Sequence, residues 1–241
     1  LERAQRLRNL FSMDADTVFF SPAPLHHAAP LRFSMDLLRL GGTLVLNAHF
    51  DAKAALRLLE RERVTHSQWV PTMFTRLLAE RDENFSAPSH REAIHAGAPC
   101  SVELKREMIS WWGPILHEYY SGTESIGFTH ITSEEWLKKV GSVGRPSGCD
   151  IHIVNDEAEP LPAGQRGKVF FSGREVVAYH NDPKKTAAAR SPQGYSTMGD
   201  LGYVDADGYL FLTDREAFTI ISGGVNVYPR EVEEALNTDS R

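Results

Sequence analysis

Cysteine is scarce in this sequence, and long apolar runs are absent. The 241 residues include only Cys100 and Cys149, which have neither C-x-x-C spacing nor histidines at the offsets of a zinc site. Apolar stretches are only a few residues long, far below the roughly 20 that cross a bilayer, and the first residues are too charged for a secretory signal. We therefore expect no zinc site, no disulfide and no membrane span, and a cytoplasmic location.

An excess of positive charge is also missing. The 26 basic and 32 acidic side chains give a net charge of −6, so we expect no nucleic-acid partner. The 41% hydrophobic and 24% charged residues are typical of a soluble globular chain with one or two domains. The chain opens in a charged segment without an initiator Met, which predicts that it is part of a longer protein.

Several general catalytic motifs do not occur. The sequence has no G-x-S-x-G, H-E-x-x-H or G-x-G-x-x-G, so the hydrolase-triad, zinc-protease and dinucleotide-fold interpretations lose their main support. Residues 164–169 resemble a phosphate loop, but only two residues separate the glycines where four are needed. We interpret this stretch as a hairpin turn.

Short strands alternate with helical patterns from residue 16 to about residue 140. Such alternation predicts a parallel sheet covered by helices. The predicted strands are residues 17–20, 43–46, 64–70, 91–95 and 115–120, and the predicted helices are residues 51–63, 72–81 and 101–112, with Asp51, Thr72 and Ser101 as N-caps.

After Gly141 the pattern changes to short strands separated by turns. Strands at residues 150–154, 168–172, 202–204 and 209–212 predict a small antiparallel barrel or sandwich, with turns at residues 155–156, 162–164 and 205–208. A third unit then begins with residues 218–222, two glycines and a helix opened by Pro229, with Val232, Ala235 and Leu236 on one face.

The predicted fold class is therefore α/β. It comprises a helix-covered, mainly parallel sheet, a small antiparallel β-barrel subdomain and the start of a small α+β C-terminal domain. The predicted divisions are residues 1–145 for the sheet subdomain, 146–213 for the barrel, 214–217 for a hinge and 218–241 for the third unit.

The most informative stretch is Tyr119-Tyr120-Ser121-Gly122-Thr123-Glu124, directly after a predicted buried strand. Open α/β sheets bind ligands at the carboxyl ends of their strands. Gly122 lets a phosphate approach the backbone, Thr123 can donate to a phosphate oxygen, and Glu124 can hold a hard cation. Tyr120 offers a ring that can stack on a base. Taken alone, an ordinary strand-to-loop turn explains the stretch as well.

Together with three further stretches, this segment resembles the adenylate-forming superfamily of acyl-CoA synthetases, luciferases and peptide-synthetase adenylation domains. Residues 195–203 (YSTMGDLGY) are similar to the family's Y-x-T-G-D-x-G, with one extra residue before the Gly-Asp. Residues 212–215 and 220–233 are similar to the segment that runs from a ribose-contacting arginine into the C-terminal domain. Residues 96–99 (AGAP) are similar to the loop that borders adenine.

The resemblance implies ATP-dependent conversion of a carboxylic acid to acyl-AMP and its transfer to coenzyme A, with ATP/AMP, Mg²⁺ and coenzyme A as ligands. It implies that Thr123 contacts the phosphate, that Glu124 holds Mg²⁺ and that Asp200 accepts from both ribose hydroxyls. The other implied site residues are Gly97, Ala98, Pro99, Tyr120, Ser121, Gly122 and Arg215 for the nucleotide, His27 in a P-L-x-H segment for the acyl pocket, and Gly223 and Gly224 for the coenzyme A channel.

Purely structural interpretations, without a role in ligand binding, stay open for three of these residues. Asp200 could be a turn or capping residue, Arg215 a surface arginine and His27 a polar core histidine. The acid could be fatty, short-chain or aromatic. The alternative functions are a non-catalytic module that binds a nucleotide or acyl-AMP, and an adenylation domain that loads a carrier protein.

The sequence also departs from the family pattern. It has no Ser/Thr/Gly-rich phosphate loop ending in Pro-Lys-Gly, and it lacks the family's late C-terminal lysine. Ala217 occupies the hinge position where Asp or Lys is common, and Phe218 follows where Asp is frequent. We therefore expect the 241 residues to be an incomplete part of a ligase, inactive in isolation.

Overall fold

The computed structural model describes residues 2–82, 84–174, 178–215, 220–222 and 225–227, together with residues 229, 232 and 236. The chain divides into two compact units, each with its own core. Unit 1 contains Leu1–Glu118 and Thr132–Glu134, and unit 2 contains Tyr119–Ile131 and Glu135–Arg241. The predicted division into residues 1–145, 146–213, 214–217 and 218–241 stays a prediction.

Unit 1 is built on parallel strands in the order β2-β1-β3-β4-β5. The first half of β5 belongs to unit 1, and Tyr119–Ser121 belong to unit 2. The elements are α1 (Glu2–Phe11), β1 (Val18–Ser21), α2 (Ala28–Leu40), β2 (Thr43–Leu46), α3 (Ala52–Arg61), β3 (His66–Trp69), α4 (Pro71–Leu78), β4 (Glu92–His95), α5 (Val102–Trp112) and β5 (Leu116–Ser121).

Helices cover both faces of this sheet, as a parallel sheet requires. On one face, the rings of Phe11 in α1 and Phe33 in α2 lie 5.6 Å apart, and Phe33 stacks on Phe19 of β1. The core of the other face joins strand residues to α3, α4 and α5; its members include Phe20, Leu59, Trp69, Phe74, Met108 and Leu116. The predicted helix-covered parallel sheet is confirmed.

Two of the three predicted N-caps are confirmed. Asp51 accepts a hydrogen bond from the Ala54 amide at 2.7 Å, and Ser101 accepts one from the Leu104 amide at 3.2 Å. The prediction for Thr72 is wrong, because α4 begins at Pro71, whose fixed φ suits the first helical position, after Val70 as the N-cap.

The predicted elements of unit 1 lie within a few residues of those observed, but two helices were not predicted. The strand predicted at residues 64–70 is shorter, at His66–Trp69, and the helix predicted at residues 72–81 ends at Leu78. The missed helices are α1 and α2; α2 follows His27 without a side-chain cap and contains Pro30 in its first turn.

Unit 2 holds most of the remaining elements, including an antiparallel sheet in the order β11-β10-β9-β8. Its core contains Val143, Ile153, Val169, Phe171 and Leu210. The elements are β6 (Phe128–Thr132), α6 (Ser133–Lys138), β7 (Arg145–Pro146), β8 (Asp150–Val154), β9 (Gly167–Ser172), α7 (Pro183–Ala188), β10 (Asp200–Val204), β11 (Leu210–Arg215), β12 (Ile220–Ser222) and β13 (Val225–Val227).

The turns predicted in this part of the chain are present. Asn155, Pro162 and Asp205 each accept a hydrogen bond at their carbonyl from the amide three residues later. Gly164 and Gly208 have φ of +81° and +84°, a left-handed backbone that glycine adopts without strain. The predicted mixed α/β class, with a mainly parallel sheet followed by antiparallel strands, is confirmed.

Several predictions fall outside the described residues. These concern the hinge residues 216–217, Phe218, and the proposed coenzyme A channel residues Gly223 and Gly224. Of the last predicted helix, Pro229, Val232 and Leu236 are described, and all three are helical. Among the described residues, no helix combines the length and hydropathy that a membrane span requires.

Candidate functional site

The side chains of Tyr120 and Asp200 meet in unit 2. The Tyr120 hydroxyl donates a hydrogen bond to Oδ2 of Asp200, which lies 80 positions later at the start of β10. Asp200 is 6% exposed, so it is a buried carboxylate in a strand and not a turn or capping residue. A carboxylate offers about four acceptor positions, more than a single phenol hydroxyl occupies.

Glu124 lies in a tight turn directly after β5. The Ser125 amide donates to the Gly122 carbonyl at 3.0 Å, and Ser125 has a φ of +58°. Oε1 of Glu124 accepts a hydrogen bond of 2.9 Å from the Tyr179 hydroxyl. Burial, and then the bond to Glu124, raise the pKa of Tyr179, so the phenol keeps its proton at neutral pH. Thr123 is exposed at the tip of the turn.

Gly122 allows the strand-end turn to approach the 195–203 motif closely. A Cβ atom at this position would lie 2.5 Å from Sδ of Met198 and 2.7 Å from Oε2 of Glu124. A larger residue would therefore displace one or both side chains. The close approach to Met198 and Glu124 accounts for glycine here, in addition to the predicted approach of a phosphate.

The 195–203 motif is anchored to the antiparallel sheet. Oγ1 of Thr197 donates to the Val169 carbonyl at 2.7 Å and accepts from the Gly199 amide at 2.9 Å. Gly199 has a φ of +82°, which suits glycine, and Met198 packs against the core of unit 2. The anchored motif thus positions Asp200 at the start of β10. Arg215, at the end of β11, pairs in register with Asp200.

His27 and the 96–99 loop lie in unit 1, after the carboxyl ends of β1 and β4 of the same parallel sheet. His27 is exposed beside His26, with ring centroids 4.3 Å apart, which argues against a core histidine. Gly97 has a φ of +88°, and Gly97, Ala98 and Pro99 are all exposed. Both segments therefore lie at the carboxyl-terminal end of the parallel strands, where α/β proteins bind ligands.

The predicted site residues thus fall into two groups. Unit 2 brings together Tyr120, Gly122, Glu124 and Asp200 through the contacts above. Ser121 donates to the Gly127 carbonyl at 2.7 Å and supports the same turn. Unit 1 holds His27, Gly97, Ala98 and Pro99. Sequence reasoning missed Tyr179; its only signal is a short polar segment, Tyr179-His180-Asn181-Asp182, before α7.

The residues around Glu124 fit a nucleotide-bound Mg²⁺. Within the described ranges, no cluster of three or more His, Cys, Asp or Glu side chains is arranged to hold a metal by itself. Mg²⁺ is usually held by one or two carboxylates together with substrate phosphates, and a single carboxylate meets this need. Oε2 of Glu124 lies beside the backbone of Gly122, 2.7 Å from where a Cβ atom would be.

A buried ion pair includes a glutamate in the first half of β5, in unit 1. Nζ of Lys105 donates to Oε2 of Glu118 at 2.6 Å, and Lys105 is fully buried. His95 of β4 lies 3.8 Å from the same carboxylate oxygen, and burial, then the charge of Lys105, hold the pKa of His95 well below its usual value. His95 is therefore neutral. Removing Lys105 would leave Glu118 as an unpaired buried charge, which is costly.

Comparison with known proteins assigns the family. A family model for AMP-binding enzymes matches residues 2–178. The feruloyl-CoA synthase of an Amycolatopsis species is 35% identical over 218 residues, which cover 89% of this chain and 44% of that protein. The chain thus spans about half the length of the curated relatives it matches.

Two solved structures share the fold over nearly the whole chain. The amide bond synthetase McbA from Marinactinospora thermotolerans has a TM-score of 0.89 at 30% identity, covering 99% of this chain and 50% of McbA. The o-succinylbenzoate coenzyme A synthetase of Bacillus subtilis, in complex with ATP and magnesium ion, has a TM-score of 0.86 at 29% identity, covering 98% of this chain and 50% of its own. The chain belongs to the AMP-binding enzyme family.

Proposed function

We propose that this chain is part of an enzyme that activates a carboxylic acid with ATP, forming acyl-AMP and pyrophosphate, and transfers the acyl group to coenzyme A. The observation that carries the proposal is the hydrogen bond between Tyr120 and Asp200. It joins two segments that resemble nucleotide-binding motifs and are far apart in the sequence. Feruloyl-CoA synthase and the B. subtilis synthetase, both ligases of an acid to coenzyme A by name, support the reaction class.

Asp200 is the proposed acceptor for the ribose hydroxyls. A carboxylate can accept both hydrogen bonds of a vicinal diol, and hydrogen bonds to a charged group are the stronger ones. The Tyr120 hydroxyl fixes the plane of the carboxylate before the nucleotide arrives, which reduces the ordering cost of binding. Arg215, in register with Asp200, is proposed to add a positive charge near the ribose.

Thr123 and Glu124 are proposed to act at the phosphates. The nucleophile is a weak, anionic carboxylate, so positioning and neutralisation of phosphate charge must supply most of the catalysis. Thr123 is exposed at the turn and can donate to a phosphate oxygen. Glu124 is proposed to hold Mg²⁺, which when bound neutralises charge on the phosphates. His27 is proposed to line the acyl pocket.

The first test is nucleotide binding by the purified 241-residue chain, measured by calorimetry without added metal. We expect AMP and ATP to bind with similar affinity, because the proposed contacts are to the nucleoside. Asp200→Ala should weaken both by tenfold or more, since it removes two hydrogen bonds to a charged group, each worth about 1.5–3 kcal/mol.

Asp207→Ala is the matched control for this test. Asp207 is an exposed aspartate of the same unit that pairs with Lys139, away from the motif. Its substitution should leave both affinities unchanged. Equal weakening by the two substitutions, or a strong preference for ATP over AMP in the absence of metal, would contradict the proposed nucleoside site.

An amine is the second candidate for the acyl acceptor. The likeness to an amide bond synthetase favours it, because such an enzyme by name forms an amide rather than a thioester. A competition experiment distinguishes the two acceptors. Preformed acyl-AMP, coenzyme A and a primary amine are supplied together to a protein that contains this chain and has the full length of its relatives. A thioester product supports coenzyme A transfer, and an amide product supports the alternative.

A further inference from the structure

The connection between β9 and α7 contacts the Glu124 turn from both of its described ends. At one end, Nη1 of Arg174 donates to the Ser125 carbonyl at 3.4 Å, while its Nε and Nη2 donate to the carbonyls of Gly148 and Ser147 at 3.1 and 2.9 Å. At the other end, the Tyr179 hydroxyl donates to Oε1 of Glu124 at 2.9 Å. The turn is therefore held at both its backbone and its carboxylate.

Tyr179 is itself held in place by two contacts with α7. Its amide donates to Oγ1 of Thr186 at 2.9 Å, and Nζ of Lys185 lies 4.1 Å from the centre of its ring. Asp182 caps α7 by accepting from the Lys185 amide at 2.9 Å, which fixes the residues that contact Tyr179. The phenol thus meets Glu124 from a preformed position.

We propose that Tyr179 is a positioning residue that holds the Glu124 carboxylate in the orientation in which it receives the nucleotide-bound cation. This inference rests on the proposed function, since it assigns Glu124 to the metal of the nucleotide complex. Oε1 accepts the hydrogen bond from the tyrosine, whereas Oε2 is the oxygen that lies beside the backbone of Gly122. The tyrosine therefore selects which oxygen meets the cation.

Orientation affects metal binding because a glutamate side chain has several rotamers. A free glutamate loses that freedom when it binds a cation, whereas a glutamate already fixed by a hydrogen bond has lost part of it beforehand. Hydrogen-bonded partners of metal ligands commonly change metal affinity by this means. A hydrogen bond worth about 1 kcal/mol net corresponds to roughly a fivefold change in affinity.

The test uses the 241-residue chain with Mn²⁺ as a spectroscopic substitute for Mg²⁺. ATP affinity is measured by calorimetry with and without saturating Mn²⁺, and bound Mn²⁺ is followed by electron paramagnetic resonance. In the parent chain we expect Mn²⁺ to strengthen ATP binding. In Tyr179→Phe this strengthening should fall by about three- to tenfold, in line with the loss of one hydrogen bond.

A double-mutant cycle separates positioning from general damage. Glu124→Gln should abolish the strengthening by Mn²⁺, and Tyr179→Phe should add nothing further in the Glu124→Gln background. AMP affinity without metal should stay within about twofold in Tyr179→Phe, which also shows that the variant is folded. Tyr209→Phe is the matched control, because the Tyr209 hydroxyl also donates to a glutamate, Glu135 at 3.1 Å, outside the Glu124 turn and the 195–203 motif.

The outcomes are distinguishable. Undiminished strengthening by Mn²⁺ in Tyr179→Phe overturns the inference, as does an equal loss of AMP and ATP affinity that is independent of metal. A parent chain that binds AMP but shows no effect of Mn²⁺ also overturns it. A parent chain that binds neither nucleotide overturns the proposed function itself.

Discussion

Burial shifts the pKa values of four ionisable side chains of unit 1, three histidines downward and one glutamate upward. Burial lowers the pKa of His66 to about 4 and that of His90 to about 3, and it holds the pKa of His95 well below its usual value. Burial raises the pKa of Glu92 to about 7. In the folded protein at pH 5.5, the three histidines are therefore neutral and Glu92 is protonated.

These shifts predict how the stability of unit 1 depends on pH. Between about pH 4.5 and 5.5, unfolding lets three histidines take up protons and makes Glu92 release one, a net uptake of about two protons. Each proton taken up lowers the free energy of unfolding by about 1.4 kcal/mol for each unit that the pH falls. We therefore expect unit 1 to lose stability on acidification.

Two substitutions should change this pH dependence in opposite directions. His90→Gln removes one histidine that takes up a proton on unfolding, so the slope of the free energy of unfolding against pH should fall to the value for about one proton. Glu92→Gln removes the group that releases a proton, so this slope should rise to the value for about three protons. His90 contacts Oγ of Ser67 through Nε2, a bond that glutamine can replace. Urea unfolding at several pH values, followed by tryptophan fluorescence, measures the slopes. Equal slopes in the three proteins would contradict the shifted pKa values.

At the scale of elements, the sequence predicted best those that local chemistry determines. Asp51 and Ser101 cap their helices because a short acceptor precedes a regular apolar pattern. Helix α2 was missed because it lacks such a cap and buries Ser34 and Asp36 along with its apolar residues. Its ends are specified by packing and by Gly41 in the left-handed conformation, neither of which an apolar pattern reveals.

The candidate site also combines features that the local sequence determines with features that only the tertiary fold determines. The placement of Gly122 and Glu124 at the end of β5 could be predicted, since small and polar residues directly follow a buried strand. The contacts of Tyr120 with Asp200 and of Tyr179 with Glu124 join residues 80 and 55 positions apart. Only the tertiary fold brings these pairs together. The family resemblance supplied Asp200, whereas no quoted motif included Tyr179.

A cap substitution tests the boundaries of the helices. Asp51→Ala should lower the free energy of unfolding by about 1 kcal/mol, because it removes the acceptor for the Ala54 amide at the start of α3. Thr72→Ala is the matched control. Thr72 is exposed and lies inside α4 after Pro71, so its loss should change stability by less than about 0.5 kcal/mol. Equal losses in a urea titration would mean that Thr72, as first predicted, caps the helix.

At the scale of the whole molecule, nucleoside recognition and phosphate chemistry have different requirements. The proposed nucleoside contacts lie on Tyr120 and Asp200, which the fold joins within unit 2. The family's phosphate loop and its late lysine have no counterpart in the 241 residues. The chain spans about half the length of its relatives, so binding and turnover can be tested separately on it.

We expect the purified 241-residue chain to bind AMP and yet to release no measurable pyrophosphate from ATP with fatty, short-chain or aromatic acids. Each missing electrostatic contact to the phosphates typically costs about 10²–10³ in rate, so the loss of two lowers turnover by roughly 10⁴ or more. Residues that bind only the nucleoside cannot compensate, because they contact ground state and transition state alike and do not lower the chemical barrier. A coupled pyrophosphate assay measures turnover, with the Amycolatopsis feruloyl-CoA synthase and ferulate as the positive control. Acid-dependent pyrophosphate release that disappears in Asp200→Ala would contradict the prediction, because it would show that this chain stabilises the transition state without either element.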